Sequence, residues 1–217
     1  MNRNISFMII LLVMIACTTK PVRVNKQNMQ SANCIHNDLS QIFDFQTKIN
    51  RIKTQNPWDS CVISVLILNK LTHKQLQEIV LTSNYLFDDC FIECNNVRSF
   101  ITNKNIDSLA VDNDFGDLIV CDLNFDLKED LAIKNSSGGN GGPTYNFYNL
   151  NKFDQFEMDK YLTDSMRFFP LLIDKKSKTL TTKVHANAYQ YLSTDYVFNI
   201  ELNEWKIIDS KLVDANK

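Results

Sequence analysis

Only five glycines occur in the 217 residues, and four of them, Gly138, Gly139, Gly141 and Gly142, fall within one run of five positions. Where glycine is so scarce, a cluster marks a place where the backbone must turn tightly or come close to something else. The rest of the composition is that of an ordinary folded chain. Apolar residues make up 44% and charged residues 22%, enough for a core and too balanced for a disordered charged tail. Basic residues number 23 against 25 acidic, a formal charge of −2, which provides no electrostatic footprint for nucleic acid.

The first segment stands apart from the fold. Arg3 precedes an apolar run from Ile5 through Ala16, broken only by Ser6. That run is too short for a spanning helix and has the order of a secretory signal, 1–16. It ends Val13-Met14-Ile15-Ala16-Cys17, which resembles the lipobox of bacterial lipoproteins, with Met14 where Leu is usual. The resemblance implies lipidation at Cys17; the alternative is a plain signal peptide cut nearby. Polar residues with Pro21 follow, as expected of a tether over 17–30 leading to one domain over 31–217. The chain is thus expected in the cell envelope, lipid-anchored and facing the periplasm.

Beyond Cys17 lie Cys34, Cys61, Cys90, Cys94 and Cys121. An exported chain permits disulfides, and an odd number leaves at least one thiol unpaired. Cys121, inside the apolar stretch Leu118-Ile119-Val120-Cys121, is the candidate buried thiol. Cys90 and Cys94 have neither zinc-site nor redox spacing, so a structural disulfide is expected, its pairing unspecified.

Hydrophobic periodicity predicts a mainly β, antiparallel domain. Cys61–Leu68 is a near-continuous β-branched run, expected as a buried strand. Phe91–Phe100, Leu118–Leu123, Tyr145–Leu150, Thr179–Ala186, Tyr189–Ile200 and Trp205–Val213 are further strands, with a turn at Leu202-Asn203-Glu204. One short helix is expected over Asp38–Lys53, where Leu39, Ile42, Phe43, Ile49 and Ile52 fall at roughly helical spacing. Thr72 and Gln75 have the spacing of a capping box opening a second helix through Val80; a turn at Lys70–His73 feeding a strand fits the same letters.

The sharpest constellation is Asp122-Leu123-Asn124-Phe125-Asp126-Leu127-Lys128-Glu129-Asp130. Oxygen donors recur at its positions one, three, five and nine, and a hard cation such as Ca²⁺ takes six to eight oxygens. Asp122, Asn124, Asp126 and Asp130 would supply side-chain oxygens, and Lys128 its backbone carbonyl. Phe125 would point into the core. Position six, usually glycine, is Leu127, at a cost of about 1 kcal/mol if the backbone turns left-handed there. The alternative is an acidic hairpin end with solvated carboxylates. Asp112, Asp114 and Asp117 add charge nearby and are explained equally well by a turn at Gly116.

Together with Val97–Phe100, Asp112–Val120, Asp130–Ile133 and Ser137–Pro143, this loop resembles a family of exported bacterial β-domains. The family includes lipoproteins and periplasmic immunity proteins that inhibit a lysozyme-like toxin, related in fold to inhibitors of invertebrate-type lysozyme. The resemblance spans about residues 60–213. It implies a distorted, propeller-like or sandwich β-fold with a calcium loop of the integrin-repeat kind, and a turn and strand over Lys70–Val80. It also implies a partner-binding loop of Ser137, Gly138, Gly139 and Tyr145 that enters a hydrolase cleft; here six residues separate Gly138 from Tyr145. A plain β-turn closed by Pro143 is the alternative.

No catalytic signature accompanies these features. His36, His73 and His185 are scattered and form no metal-binding spacing, and no nucleophile elbow exists. Asp159 with Asp164, or Glu201 with Glu204, are pairs expected by chance among 25 acidic residues. The expectation is a non-enzymatic envelope protein that binds Ca²⁺ and a protein partner, an inhibitor of a peptidoglycan hydrolase. The alternative is an envelope glycan-binding or structural module, with Tyr145, Phe147 and Tyr148 either stacking on ligand or packing into the core.

Overall fold

The computed structural model describes residues 29–52, 60–83 and 113–215. The signal segment, Cys17, Cys90, Cys94, the strand expected at Phe91–Phe100 and Asp112 lie outside these residues. Twelve strands form three successive four-stranded antiparallel meanders. The first sheet holds β1 (Met29–His36), β2 (Phe43–Ile52), β3 (Ser60–Asn69) and β4 (Gln75–Ser83). The second holds β5 (Leu118–Cys121), β6 (Asp130–Gly139), β7 (Gly142–Leu150) and β8 (Phe156–Met158). The third holds β9 (Leu172–Asp174), β10 (Thr179–Asn187), β11 (Gln190–Asn199) and β12 (Glu204–Asp214), in the order β12-β11-β10-β9. A single π-helical turn, Leu162–Met166, links the second sheet to the third. The mainly β, antiparallel class is thus the one the sequence predicts.

The second sheet lies between the other two, and its alternation shows why. On one face Leu118, Val120, Leu131, Ile133, Tyr148 and Leu150 join Phe43, Phe45, Ile49, Ile63, Val65 and Ile67 of the first sheet in one core. On the other, Ile119, Cys121, Ala132, Tyr145 and Phe147 join Leu180, Tyr196, Phe198 and Trp205 of the third in a second core. Successive side chains of a strand point to opposite faces, so a strand apolar at both parities can close two cores at once. The run Leu118-Ile119-Val120-Cys121 does so and is buried at every position.

The expected helix over Asp38–Lys53 is instead a turn followed by β2. Phe43, Phe45, Thr47, Ile49 and Arg51 are all buried, a period of two. The alternation is masked in the sequence because two of its inward members, Thr47 and Arg51, are polar. Thr47 is satisfied through its hydroxyl, 3.2 Å from His36 Nε2 on β1. At Lys70–Val80 the turn-and-strand reading holds. Asn69 Oδ1 accepts from the amides of Leu71 and Thr72 at 3.1 and 2.9 Å, His73 turns left-handed at φ 53°, and β4 follows. β1 begins at Met29, within the stretch read as tether.

Among the cysteines, Cys34 is disulfide-bonded. Cys61 and Cys121 are buried and outside any disulfide. Cys121 is the buried free thiol the sequence predicts, its pKa pushed up by burial.

His36 is buried, and burial holds its pKa below the usual 6.5 against the opposing charges of Asp38 and Asp117. The unfolded chain therefore takes up a proton that the folded chain resists. The associated stability is complete above about pH 6.5 and is lost as the pH falls below it. In urea titrations, lowering the pH through this window should drop the wild-type midpoint relative to that of His36→Gln. Parallel midpoints would show that His36 does not titrate differently on folding.

Candidate functional site

Two loops at opposite ends of β6 carry the candidate site. The first joins β5 to β6 and contains the acidic constellation. Cys121 pairs with Asp130 at its base. Asp130 is fully buried and holds the loop shut: Oδ2 accepts from the amides of Leu123 and Asn124 at 2.9 and 3.2 Å, and Oδ1 from that of Leu150 at 3.0 Å. Asp122 accepts from Asp126 and Leu127 at 3.1 and 3.2 Å. Asn124 Oδ1 meets the same Asp126 amide at 3.0 Å, so two side-chain oxygens converge on one N–H.

The backbone of the loop turns tightly. Leu127, at position six, has φ 71°, the left-handed conformation that glycine would take. It does so with a side chain 86% exposed, which recovers nothing by burial. Phe125 is likewise left-handed at φ 62° and, as expected, buried, its ring 6.4 Å from that of Trp205.

Charge in this loop is poorly compensated. Burial raises the pKa of Asp122, with a smaller push from Asp126, against the pull of the Leu127 and Asp126 amides. Burial raises that of Asp130 to about 7, against the amides of Leu150, Leu123 and Asn124. Lys128 reaches away, its Nζ donating to the Asn151 carbonyl at 3.2 Å. The donors are not gathered, however: among the described residues no group of three or more His, Cys, Asp or Glu side chains is placed to hold a metal. Asp130 acts here as the staple of the loop. Asp114 and Asp117 belong elsewhere, bound to Lys134 Nζ at 2.8 and 2.7 Å.

At the other end of β6, the glycine run forms the β6–β7 hairpin. Gly138 has φ 69°, and a Cβ there would lie 1.8 Å from the Gly142 carbonyl oxygen, so only glycine fits. A Cβ on Gly141 would press on Val184 and Phe168 at 2.9 and 3.3 Å, whereas at Gly139 it would meet nothing. Asn113 ties the hairpin to the third sheet, its Nδ2 donating to the carbonyls of Gly141 and Lys183 at 3.1 and 2.9 Å.

Beside the hairpin opens a polar cleft of about 580 Å³, lined by Asn135, Ser136, Gly139, Asn146, Arg167 and Phe168 among others. Arg167 closes the π-helical turn at φ 64°, with its carbonyl accepting from the Tyr145 amide at 2.9 Å. Among the described residues its guanidinium has no carboxylate partner.

Tyr145 corrects the sequence reading. It is 0% exposed, its hydroxyl donating to the Gly116 carbonyl at 2.9 Å and accepting from the Phe115 amide at 3.3 Å. Strand alternation sends Tyr145 and Phe147 into the second core, so Tyr145 is not offered to a partner. Ser137, Gly138 and Gly139 do lie at the hairpin. Arg167 and Asn113 were not singled out from the sequence; an isolated arginine before Phe168-Phe169, and an asparagine among acids, carry no local signal. Of the pair Asp159 and Asp164, Asp159 accepts from Leu162 N, Asn149 Nδ2 and Trp205 Nε1 at 2.9, 2.9 and 3.1 Å.

No protein-family model matches the chain, and no curated protein is significantly similar to it. Among solved structures it is similar to a Xanthomonas type IV secretion system related protein, at 17% identity and a TM-score of 0.52, over 86% of this chain and 88% of that one. The likeness is one of fold. Among the described residues no helix is long and apolar enough to cross a membrane.

Replacing Leu127 by glycine should relieve the left-handed strain and raise stability by about 1 kcal/mol. Urea unfolding measures this; an unchanged or lower midpoint would show that the turn is not strained.

Proposed function

We propose that this chain is an exported, lipid-anchored protein of the cell envelope that binds a protein partner without catalysing a reaction, and that it inhibits a peptidoglycan hydrolase. The observation that carries this reading is the cleft beside the glycine hairpin. Its wall is fixed by Gly138 and Gly141, which have no room for a side chain, and it exposes the Arg167 guanidinium, which among the described residues has no salt-bridge partner. Enzymes that cleave glycosidic bonds commonly do so between two carboxylates, and a guanidinium binds a carboxylate in bidentate fashion. Arg167 is therefore the residue suited to reach such a group, a role the sequence had suggested for Tyr145. The Xanthomonas protein of similar fold is related to a secretion system, which supports an envelope setting, as do the signal-like segment and Cys17.

Within the same reading, the 122–130 loop takes Ca²⁺ through Asp122, Asn124, Asp126 and the Lys128 carbonyl. The ion would offset the crowded carboxylates and hold the base of β6. Calorimetric titration with calcium is then expected to give saturable binding that Asp126→Ala weakens at least about tenfold, about 1.4 kcal/mol. A flat wild-type titration would remove the metal from this reading and leave the cleft untouched.

Gly139 supplies the test of the cleft. A Cβ on Gly139 meets no atom of the fold within 4 Å, so Gly139→Trp should leave the thermal midpoint where it is while the indole obstructs the cleft. With the exported chain carrying Cys17→Ser, lysis by a panel of muramidases should be suppressed, and Gly139→Trp and Arg167→Ala should each weaken that suppression at least about tenfold. Equal lysis with and without the protein across the panel would sink the inhibitor role.

A further inference from the structure

We propose that a second cleft, between the 122–130 loop and the start of β12, binds an uncharged saccharide. It lies at the opposite end of β6 from the glycine hairpin, about 30 Å away at the rise of an extended strand, and does not depend on the hydrolase reading. The cleft has a volume of about 630 Å³. Its apolar wall is the half-buried Tyr161, backed by the buried rings of Trp205 and Phe198. The Trp205 ring packs 4.9 Å from that of Phe198 and is fixed by Nε1 donating to Asp159 Oδ2 at 3.1 Å. Tyr161 stands edge-on to Tyr196 at 6.4 Å and is only half-buried, leaving ring surface for a ligand.

Opposite the aromatics, acceptors predominate. Asp126, Glu157, Asp159 and Glu204 line the cleft against two ammonium groups, Lys128 and Lys152. Lys128 is engaged by the Asn151 carbonyl, and Lys152 lies 5.0 Å over the Phe153 ring. Asn149, also in the lining, gives its Nδ2 to Asp159 at 2.9 Å, and its buried Oδ1 has no hydrogen-bond partner. A buried acceptor left unpaired is costly. The site thus holds four carboxylates against two ammonium groups, with an unpaired buried acceptor on Asn149, and offers the half-buried ring of Tyr161. A sugar matches both features, with O–H donors around its rim and C–H groups on its faces, and pockets of this make-up, apolar with a few convergent polar groups, are the usual form of small-ligand sites. The excess of carboxylates disfavours an anionic glycan.

The test titrates chitotetraose, maltotetraose and cellotetraose into the full exported chain by calorimetry, beside a deacetylated amine tetramer and tetragalacturonate. One neutral saccharide is expected to bind with a Kd of about 1 mM or tighter. Tyr161→Ala and Glu157→Ala, both at solvent-reaching positions, should each weaken it at least about tenfold, while Gly139→Trp at the other cleft should not. Binding of the amine alone would assign the cleft to cations and overturn the proposal. So would the absence of saturable binding by every neutral saccharide, or neutral binding that survives both substitutions.

Discussion

A sheet covered on both faces has no solvent side on which to leave a charge, yet the middle sheet of this protein holds Lys134 and Asp117 at 2.7 Å, each 3% exposed. Such ions persist in an interior only when paired, because an uncompensated one would carry its full desolvation cost. Asp114 adds a second contact to the same ammonium, and the Lys134 amide donates to the Asp117 carbonyl at 2.9 Å. The pair therefore joins the approach to β5 with the middle of β6 by side chain and backbone alike. A slip of one residue would exchange every inward and outward side chain of β6 and strand Lys134 away from its carboxylate. Register fixed at this point fixes both ends of the strand, the acidic loop at one and the glycine hairpin at the other.

Glycine is scarce, so most left-handed turns fall to other residues. His73, Asn113, Phe125, Leu127, Asp154, Arg167, Lys178 and Asn203 all have positive φ. Asparagine and aspartate accept that conformation more readily than other side chains; Asn203 and Asp154 turn hairpins whose amides are held by Asn199 and Asn151. Phe125, Leu127 and Arg167 have no such compensation. Their strain must be held by the surroundings: the Phe125 ring in the second core, the Leu127 amide on Asp122, the Arg167 carbonyl on Tyr145. Phe125 and Leu127 stand in the β5–β6 loop, and Arg167 ends the π-helical turn beside the β6–β7 hairpin; strain tends to collect at functional positions.

The strands were legible where burial and periodicity agree. Cys61–Leu68 and Leu118–Cys121 are apolar at both parities, and β10 and β11 alternate over Leu180–Thr182 and Thr194–Phe198. β2 was not, since Thr47 and Arg51 occupy inward positions whose partners lie on another strand. β6 was missed for a related reason: Lys134 and Asn135 interrupt an apolar start, and only the fold supplies Asp117 to receive the ammonium. The loop's positive-φ turn at position six was legible from spacing alone. Whether its oxygens converge was not, because that depends on how Leu150 and the Leu123 and Asn124 amides compete for Asp130. Tyr145 shows the opposite error. Its place beside the glycines suggested an exposed anchor, while parity with Phe147 already sent it inward.

Chemistry at the two ends of β6 differs. The hairpin cleft presents the Arg167 guanidinium among amides, hydroxyls and the Asp164 carboxylate, and so suits a partner that brings an acidic group to the arginine. The cleft by Trp205 presents four carboxylates, an unpartnered Asn149 carbonyl and the half-buried Tyr161 ring, and so favours a donor-bearing partner. Coupling between distant sites requires an element with two arrangements whose balance both ligands shift. The strand between these clefts is buried on both faces over Asp130–Lys134, and its register is pinned by Lys134. It offers one arrangement only, so the two ends act as separate surfaces on a common rigid support, and each can be altered without retuning the other.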